Sequence, residues 1–351
     1  MISITHADGI EVLFLQAASD GRGDVLFGES YERARSAVRS FVAGKECPSV
    51  YLEFPLIGEP FLDVTVLYGV LERGMRPEAQ AVADMGELFD WYADVRAEHE
   101  DVSFGFEIDT KDTNVPQAAI HFQPRAHTEL VEPFCKLIGE EDAARLYLAQ
   151  NDRMPEGWKL SFFGMFRGRP GSPLRVCGYM SADEAKACND PVYLRKQLDA
   201  AGFGAYDDAM LAQISRLLEV SPGTVDFQLD VYPDGTLGDI FAIDVQLDIQ
   251  KPELVRANFD HGPVARLMST LEAWGAADER WHLVGDAAFA RAIPAADENG
   301  VARRYAFTLM PQWVKVRWKK GVLRQSKLYH CAHAGFLNDD AADDATPAEG
   351  A

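Results

Sequence analysis

No run of about 18 apolar residues occurs anywhere in the chain, so no membrane-spanning helix is expected. Basic residues are scarce: 34 Lys and Arg stand against 55 Asp and Glu, a formal net charge of -21 at pH 7. Nucleic-acid phosphates are bound through basic footprints, so that composition excludes nucleic acid as the expected partner. The five cysteines (Cys47, Cys135, Cys177, Cys188, Cys331) are odd in number, scattered and without a CxxC pair. They fit a reducing cytoplasm better than a disulfide framework. The opening "MISITHADGIEVLFLQ" has no basic region and carries acids early, which argues against a secretory signal. No nucleophile elbow, Walker loop, dinucleotide fingerprint or HExxH helix is present, and "GRGDVLFG" does not fit a dinucleotide loop.

What is there begins with alternation. From Thr224 to Ile249, "TVDFQLDVYPDGTLGDIFAIDVQLDI", apolar residues alternate with Asp226, Gln228 and Asp230, then with Asp244, Gln246 and Asp248. Strict alternation marks strands with one buried and one polar face, and "PDG" is good turn chemistry. Four Asp on one face of a hairpin repel one another. An ordinary solvated face would mix in Lys, Arg and Thr.

Five such strand pairs recur: 50–69, 102–124, 159–180, 224–249 and a longer one from about residue 280 to 330 with a loop near "AADENG". Their centres fall about 55 to 65 residues apart, the spacing of a repeated supersecondary unit. Helical periodicity fills the gaps, as in "PEAQAVADMGELFDWYADVRAEHE" and "YDDAMLAQISRLLEV". Ten antiparallel strands can avoid open edges by closing into a barrel. The apolar faces then meet helices outside, and the polar faces line a solvated lumen. The expected fold class is α+β, with a single domain over 1–337 and an acidic, disordered tail over 338–351. The alternative, an open α+β sheet with one face in water, predicts mixed charge on the polar faces, which the fourth hairpin lacks.

Five αββα units resemble the ABBA, or PT-barrel, prenyltransferases. "SVYLEFPL" is similar to the first strand of that fold, where an apolar residue precedes an inward Glu; here the pair is Leu52-Glu53. "FEIDTKDTNVPQAAIHF", with Ile108-Asp109-Thr110-Lys111-Asp112 and His121, resembles the second hairpin of the cyanobactin peptide prenyltransferases. "FQLDVYPDGTLGDIFAIDVQL" resembles another of their strand pairs. The likeness covers about residues 30 to 335 and points first to the fold, second to the branch that modifies ribosomal peptides. It implies transfer of a prenyl group from dimethylallyl or geranyl diphosphate to a peptide or amino-acid side chain, with Mg2+ as a candidate companion of the diphosphate and no covalent cofactor. It also implies that Glu53 acts as general base or orients the acceptor; the acceptor must lose a proton to a nearby carboxylate, and Glu53 is the candidate catalytic base. The chain departs from the family where basic residues are expected: "FLDVTVL" has none, and "QAAIHF" has Ala119 near an expected Lys.

The bases that remain lie in the third and fifth hairpins, and of these Lys159, Arg175, Lys315 and Arg317 are the candidates for the diphosphate. Arg167 and Arg169 in "RGRPGSPLR" are mouth residues or loop charges. Tyr179 and Tyr329 are candidates for shielding an allyl cation. Glu107, Asp109, His121, Asp226, Asp230, Asp244 and Asp248 are candidates for holding the acceptor, and their charge suggests an arginine side chain. No protein metal site is expected; His330-Cys331-Ala332-His333 matches no strong ligand spacing. The alternative function is a barrel that binds a peptide or small cation without transferring a prenyl group.

Overall fold

The structure, a computed structural model, describes residues 2–42, 49–79, 82–110, 118–166, 171, 173–297 and 299–337. Lys111, Asp112, Arg167, Arg169 and the acidic stretch from 338 onward lie outside the described residues. Among the described residues the chain forms twelve strands. These are β1 (Ile2–Ser3), β2 (Ser49–Pro55), β3 (Asp63–Tyr68), β4 (Ser103–Ile108), β5 (Ala119–Gln123) and β6 (Trp158–Met165). They continue with β7 (Leu174–Met180), β8 (Val225–Val231), β9 (Leu237–Gln246), β10 (Phe289–Ala296), β11 (Ala302–Lys319) and β12 (Val322–Phe336).

Ten of them close a barrel in the order β11-β12-β2-β3-β4-β5-β6-β7-β8-β9, with β9 returning to β11. Every neighbouring pair in that ring is antiparallel. Closure depends on the length of β11. Its last third, Trp313 to Lys319, pairs with β9, while its first part pairs with β10 outside the ring. The short β1 lies parallel to the end of β10, also outside the barrel.

The fifth hairpin differs from the sequence reading. The "AADENG" loop joins β10 to β11, whereas the barrel hairpin is β11–β12 and turns at Lys320 and Gly321, both with positive φ (51° and 77°). Glycine takes that conformation without steric cost, which makes "KKGV" the turn. Arg280, expected at the start of a strand, lies in the 3-10 turn Glu279–Leu283.

Outward side chains form a continuous apolar layer. Val50, Leu52, Phe54, Val64 and Val66 are fully buried, as are Val314, Val316 and Trp318 on β11. Helices cover this layer between the hairpins. Trp318 Nε1 donates to Gln213 Oε1 at 2.9 Å, tying β11 to the helix Asp208–Val220. Two glycines let strands approach closely. A Cβ on Gly105 would lie 2.0 Å from the Val66 carbonyl oxygen, and one on Gly178 would lie 2.1 Å from that of Lys159. No helix of the described residues is long and apolar enough to cross a membrane.

Candidate active site in the barrel lumen

With the apolar faces outward, the polar faces of all five hairpins converge on a cavity of about 380 Å³. Its walls include Tyr51 and Glu53 on β2, Glu107 on β4, His121 on β5 and Arg175 and Tyr179 on β7. Asp226 and Gln228 on β8, Asp244 on β9, Lys315 on β11 and Tyr329 on β12 complete the ring. A smaller space of about 40 Å³ shares Glu53, Glu107, Arg175, Gln228 and Lys315 and adds Asp230, Arg317 and Lys327. An acidic and a basic set therefore meet in one lumen.

The two sets are largely paired. Lys327 Nζ lies 2.8 Å from Glu53 Oε1 and 3.1 Å from Asp63 Oδ2. Burial pushes the Glu53 carboxyl up, yet the Lys327 and Lys315 ammonium groups outweigh it and hold Glu53 below its ordinary value. Asp63 shares the same lysine, but burial and its acidic neighbours raise it to about 7. Arg175 Nε donates to Asp230 Oδ1 at 3.0 Å, and its guanidinium stacks 4.5 Å over Phe166. His121 Nε2 lies 3.1 Å from Glu107 Oε2. Lys315 Nζ stands 4.9 Å over the Tyr329 ring and 4.0 Å from Asp244 Oδ1.

Asp226 and Asp244 are direct cross-strand partners. Burial and the Asp244 charge raise Asp226 to about 7. Burial, against the pull of Lys315, raises Asp244 to about 6. Gln228 Nε2 donates to Asp244 Oδ2, but the buried Oδ1 has no hydrogen-bond partner among the described residues. Desolvated carboxylates facing each other hold protons more tightly, because the charged form is the one disfavoured. The nearest ammonium to this pair, that of Lys315, stands off at 4.0 Å.

The remaining expected site residues lie at the edge of the lumen or outside it. Lys159 pairs across the strand with Tyr179 at the β6 start and is exposed; it lines neither space. Tyr179 borders the cavity but is 41% exposed. A bulge between Leu160 and Phe162 breaks the alternation on β6 and turns Phe162 toward the cavity. Asp109 lies just past β4 and lines neither space; its charge helps raise Asp63. Asp248 lies past the end of β9, with φ 49°, exposed, accepting from Gln250 Nε2 at 2.6 Å. The alternation runs on in sequence after the pairing has stopped. In the 330–333 segment His330 points outward into the apolar layer, edge-on to Phe54 at 5.4 Å, while Cys331 pairs with Tyr51, so the four do not converge.

Lys327, Asp63 and Arg125 are the charged groups for which sequence reasoning assigned no role. Lys327 and Tyr329 are two apart on β12 and share a face, a relation that a turn placed at "AADENG" conceals. Arg125, just past β5 with φ 56°, borders the cavity from a connection. No group of three close metal-ligating side chains lies in the lumen among the described residues; Asp226 and Asp244 offer two carboxylates.

No family model and no curated protein matches the sequence. Solved structures do match. 5-Dimethylallyltryptophan synthase from Streptomyces coelicolor aligns with a TM-score of 0.53 at 11% identity, covering 94% of this chain and 97% of that one. 6-Dimethylallyltryptophan synthase from Micromonospora olivasterospora, solved with DMASPP and Trp, aligns with a TM-score of 0.51 at 14% identity, over 94% and 98%. The prenyltransferase PriB in its apo form gives 0.50 at 11%, over 94% and 96%. Strand count, closure and the layer of outer helices thus agree with these structures along nearly the whole chain, and the fold is that of the ABBA prenyltransferase barrel.

Proposed function

We propose that the barrel transfers an allylic prenyl group from its diphosphate to a nitrogen of a cationic amino-acid or peptide side chain, an arginine guanidinium fitting best. The observation that carries the cationic acceptor is the Asp226–Asp244 pair, two desolvated carboxylates on adjacent strands without a basic partner as close as those of Glu53 and Asp230. A guanidinium presents planar paired donors to such a pair. The prenyl donor is supported by the fold and by the similar 6-dimethylallyltryptophan synthase, solved in complex with DMASPP and Trp.

In this reading Arg175, Lys315 and Arg317 hold the diphosphate, with Lys327 behind them, while Lys159 is exposed and lines neither space. The allylic carbon–oxygen bond breaks and its electron pair leaves on the diphosphate. Tyr329, and Tyr179 at the mouth, offer aromatic faces to the allyl cation. The guanidine nitrogen forms the new carbon–nitrogen bond, and its proton passes to a carboxylate. Asp244 and Asp226 suit that step, because groups near 6 and 7 accept and release protons at neutral pH. Glu53, held ionised by Lys327, orients the acceptor. His121 and Glu107 close the wall beside it.

Two-carboxylate sites also hold Mg2+ together with diphosphate oxygens, which makes Mg2+ the competing occupant of the pair. A second reading, a barrel that binds a cation without transfer, is favoured by the ion pairing itself: Arg175 and Lys327 already have acidic partners, leaving little positive surplus for an anionic donor. The test is turnover of dimethylallyl and geranyl diphosphate with Arg-, Trp- and Tyr-containing peptides and free amino acids, with and without Mg2+. Arginine products that fall at least tenfold in Asp244→Asn are expected. Trp or Tyr products alone, undiminished in Asp226→Asn and Asp244→Asn, would end the guanidinium reading. Calorimetry with a thiodiphosphate analogue separates the second reading, which requires no donor binding.

A further inference from the structure

Outside the lumen, two histidines meet at the surface where the helix Gly86–Glu98 ends and the chain leaves β5. His99 caps the helix C-terminus, and its imidazole makes no hydrogen bond among the described residues. The His99 and His127 rings lie 4.2 Å apart between centroids. His127 Nδ1 is 3.3 Å from Glu129 Oε1, and His127 Nε2 is 3.1 Å from Asp101 Oδ1. One ligand atom from each of His99, His127 and Glu129 lies within 4.8 Å of the other two.

We propose that His99, His127 and Glu129 form a binding site for a transition-metal ion of the zinc class. Two atoms bound to tetrahedral zinc at about 2.0–2.1 Å stand about 3.3 Å apart, the spacing found between His127 Nδ1 and Glu129 Oε1. With Nδ1 on the metal, Nε2–H donates to Asp101, so the carboxylate that orients a metal-bound imidazole is already in place. The His99 imidazole, without a hydrogen bond among the described residues, supplies the second ring, and the fourth position goes to water because Glu129 is largely exposed. Two imidazoles with one carboxylate suit zinc, nickel or copper; magnesium prefers an all-oxygen set. This chemistry is distinct from that of the lumen, where carboxylates face lysine and arginine. The site joins the helix end to the segment after β5, in which Arg125, two residues before His127, borders the cavity mouth. A metal there pins the connection that presents Arg125.

The test uses the full chain without an affinity tag, stripped with a chelator and titrated with Zn2+ in a calorimeter, with Mg2+ as control and Co2+ for its visible spectrum. One saturable equivalent of Zn2+ is expected, together with a tetrahedral-type cobalt spectrum and no response to Mg2+. His99→Gln and His127→Gln should each lose the saturable equivalent. Asp101→Asn should weaken it about tenfold or more, the usual effect of losing an orienting partner. All four residues lie at the surface, and circular dichroism checks that each variant folds. No saturable binding in the wild-type protein, or binding unchanged in the His99→Gln/His127→Gln double variant, overturns the proposal.

Discussion

Lys327 bridges two buried carboxylates, and removing it leaves Glu53 and Asp63 without their cation. Breaking a buried pair from one side typically costs about 3–5 kcal/mol. Lys327→Met is expected to lose stability on that scale in urea denaturation at pH 8, and the triple variant with Glu53→Gln and Asp63→Asn to recover most of it. Asp226 behaves in the opposite sense. Its folded value, about 7, lies above its ordinary one, so the fold binds the proton more tightly than the unfolded chain. Its unfavourable contribution is absent below about pH 4 and fully present above about pH 7, at about 1.4 kcal/mol for each tenfold difference in proton affinity between the two states. Asp226→Asn should therefore match the wild type at pH 4 and become the more stable protein as pH rises to 7; a difference independent of pH would refute this. His330 titrates with the other sign. Burial lowers it to about 3, so the unfolded chain takes up the proton first as pH falls from about 6.5. The wild type should lose stability over that fall, and His330→Leu should lack the slope.

At the scale of the element, a strand is specified by what lies across from it as much as by its own residues. The alternation around Asp226 and Asp244 was legible because apolar and polar residues strictly take turns. It could not show where pairing stops, and so carried Asp248 into the lumen. It could not foresee the bulge at Leu160/Phe162 either, since a bulge depends on the register of the neighbouring strand. The misplaced fifth turn has the same origin: "AADENG" and "KKGV" are both credible turns, and only the pairing of β11 with both β10 and β9 decides which belongs to the barrel. Gly105 offers a test at this scale. Gly105→Ala places a methyl against the Val66 carbonyl and should force β3 and β4 apart, costing about 2–3 kcal/mol or more in thermal or denaturant unfolding.

For the whole molecule, the net charge of -21 opposes compaction through self-repulsion, and salt screens it with a length of about 10 Å at 0.1 M. The melting temperature is expected to rise between about 10 mM and 150 mM NaCl at pH 8, the range over which that screening length shortens most. A flat or falling response would show that the lumen pairs, rather than the overall charge, dominate the electrostatics.

The sequence by itself determined four of the five hairpins, the outer helices, the antiparallel closure and, away from the β6 bulge and the strand ends, the side of each strand that faces inward. These follow from local periodicity and turn chemistry, which single residues encode. Only the tertiary structure decided which charges meet. That Lys327 sits between Glu53 and Asp63, that Arg175 is held by Asp230, and that Asp226 and Asp244 face each other without a cation as close are consequences of strand register and barrel shear. Those join residues far apart in the chain, and at that separation the desolvation and Coulomb effects that set a site's chemistry depend on distances no linear pattern contains.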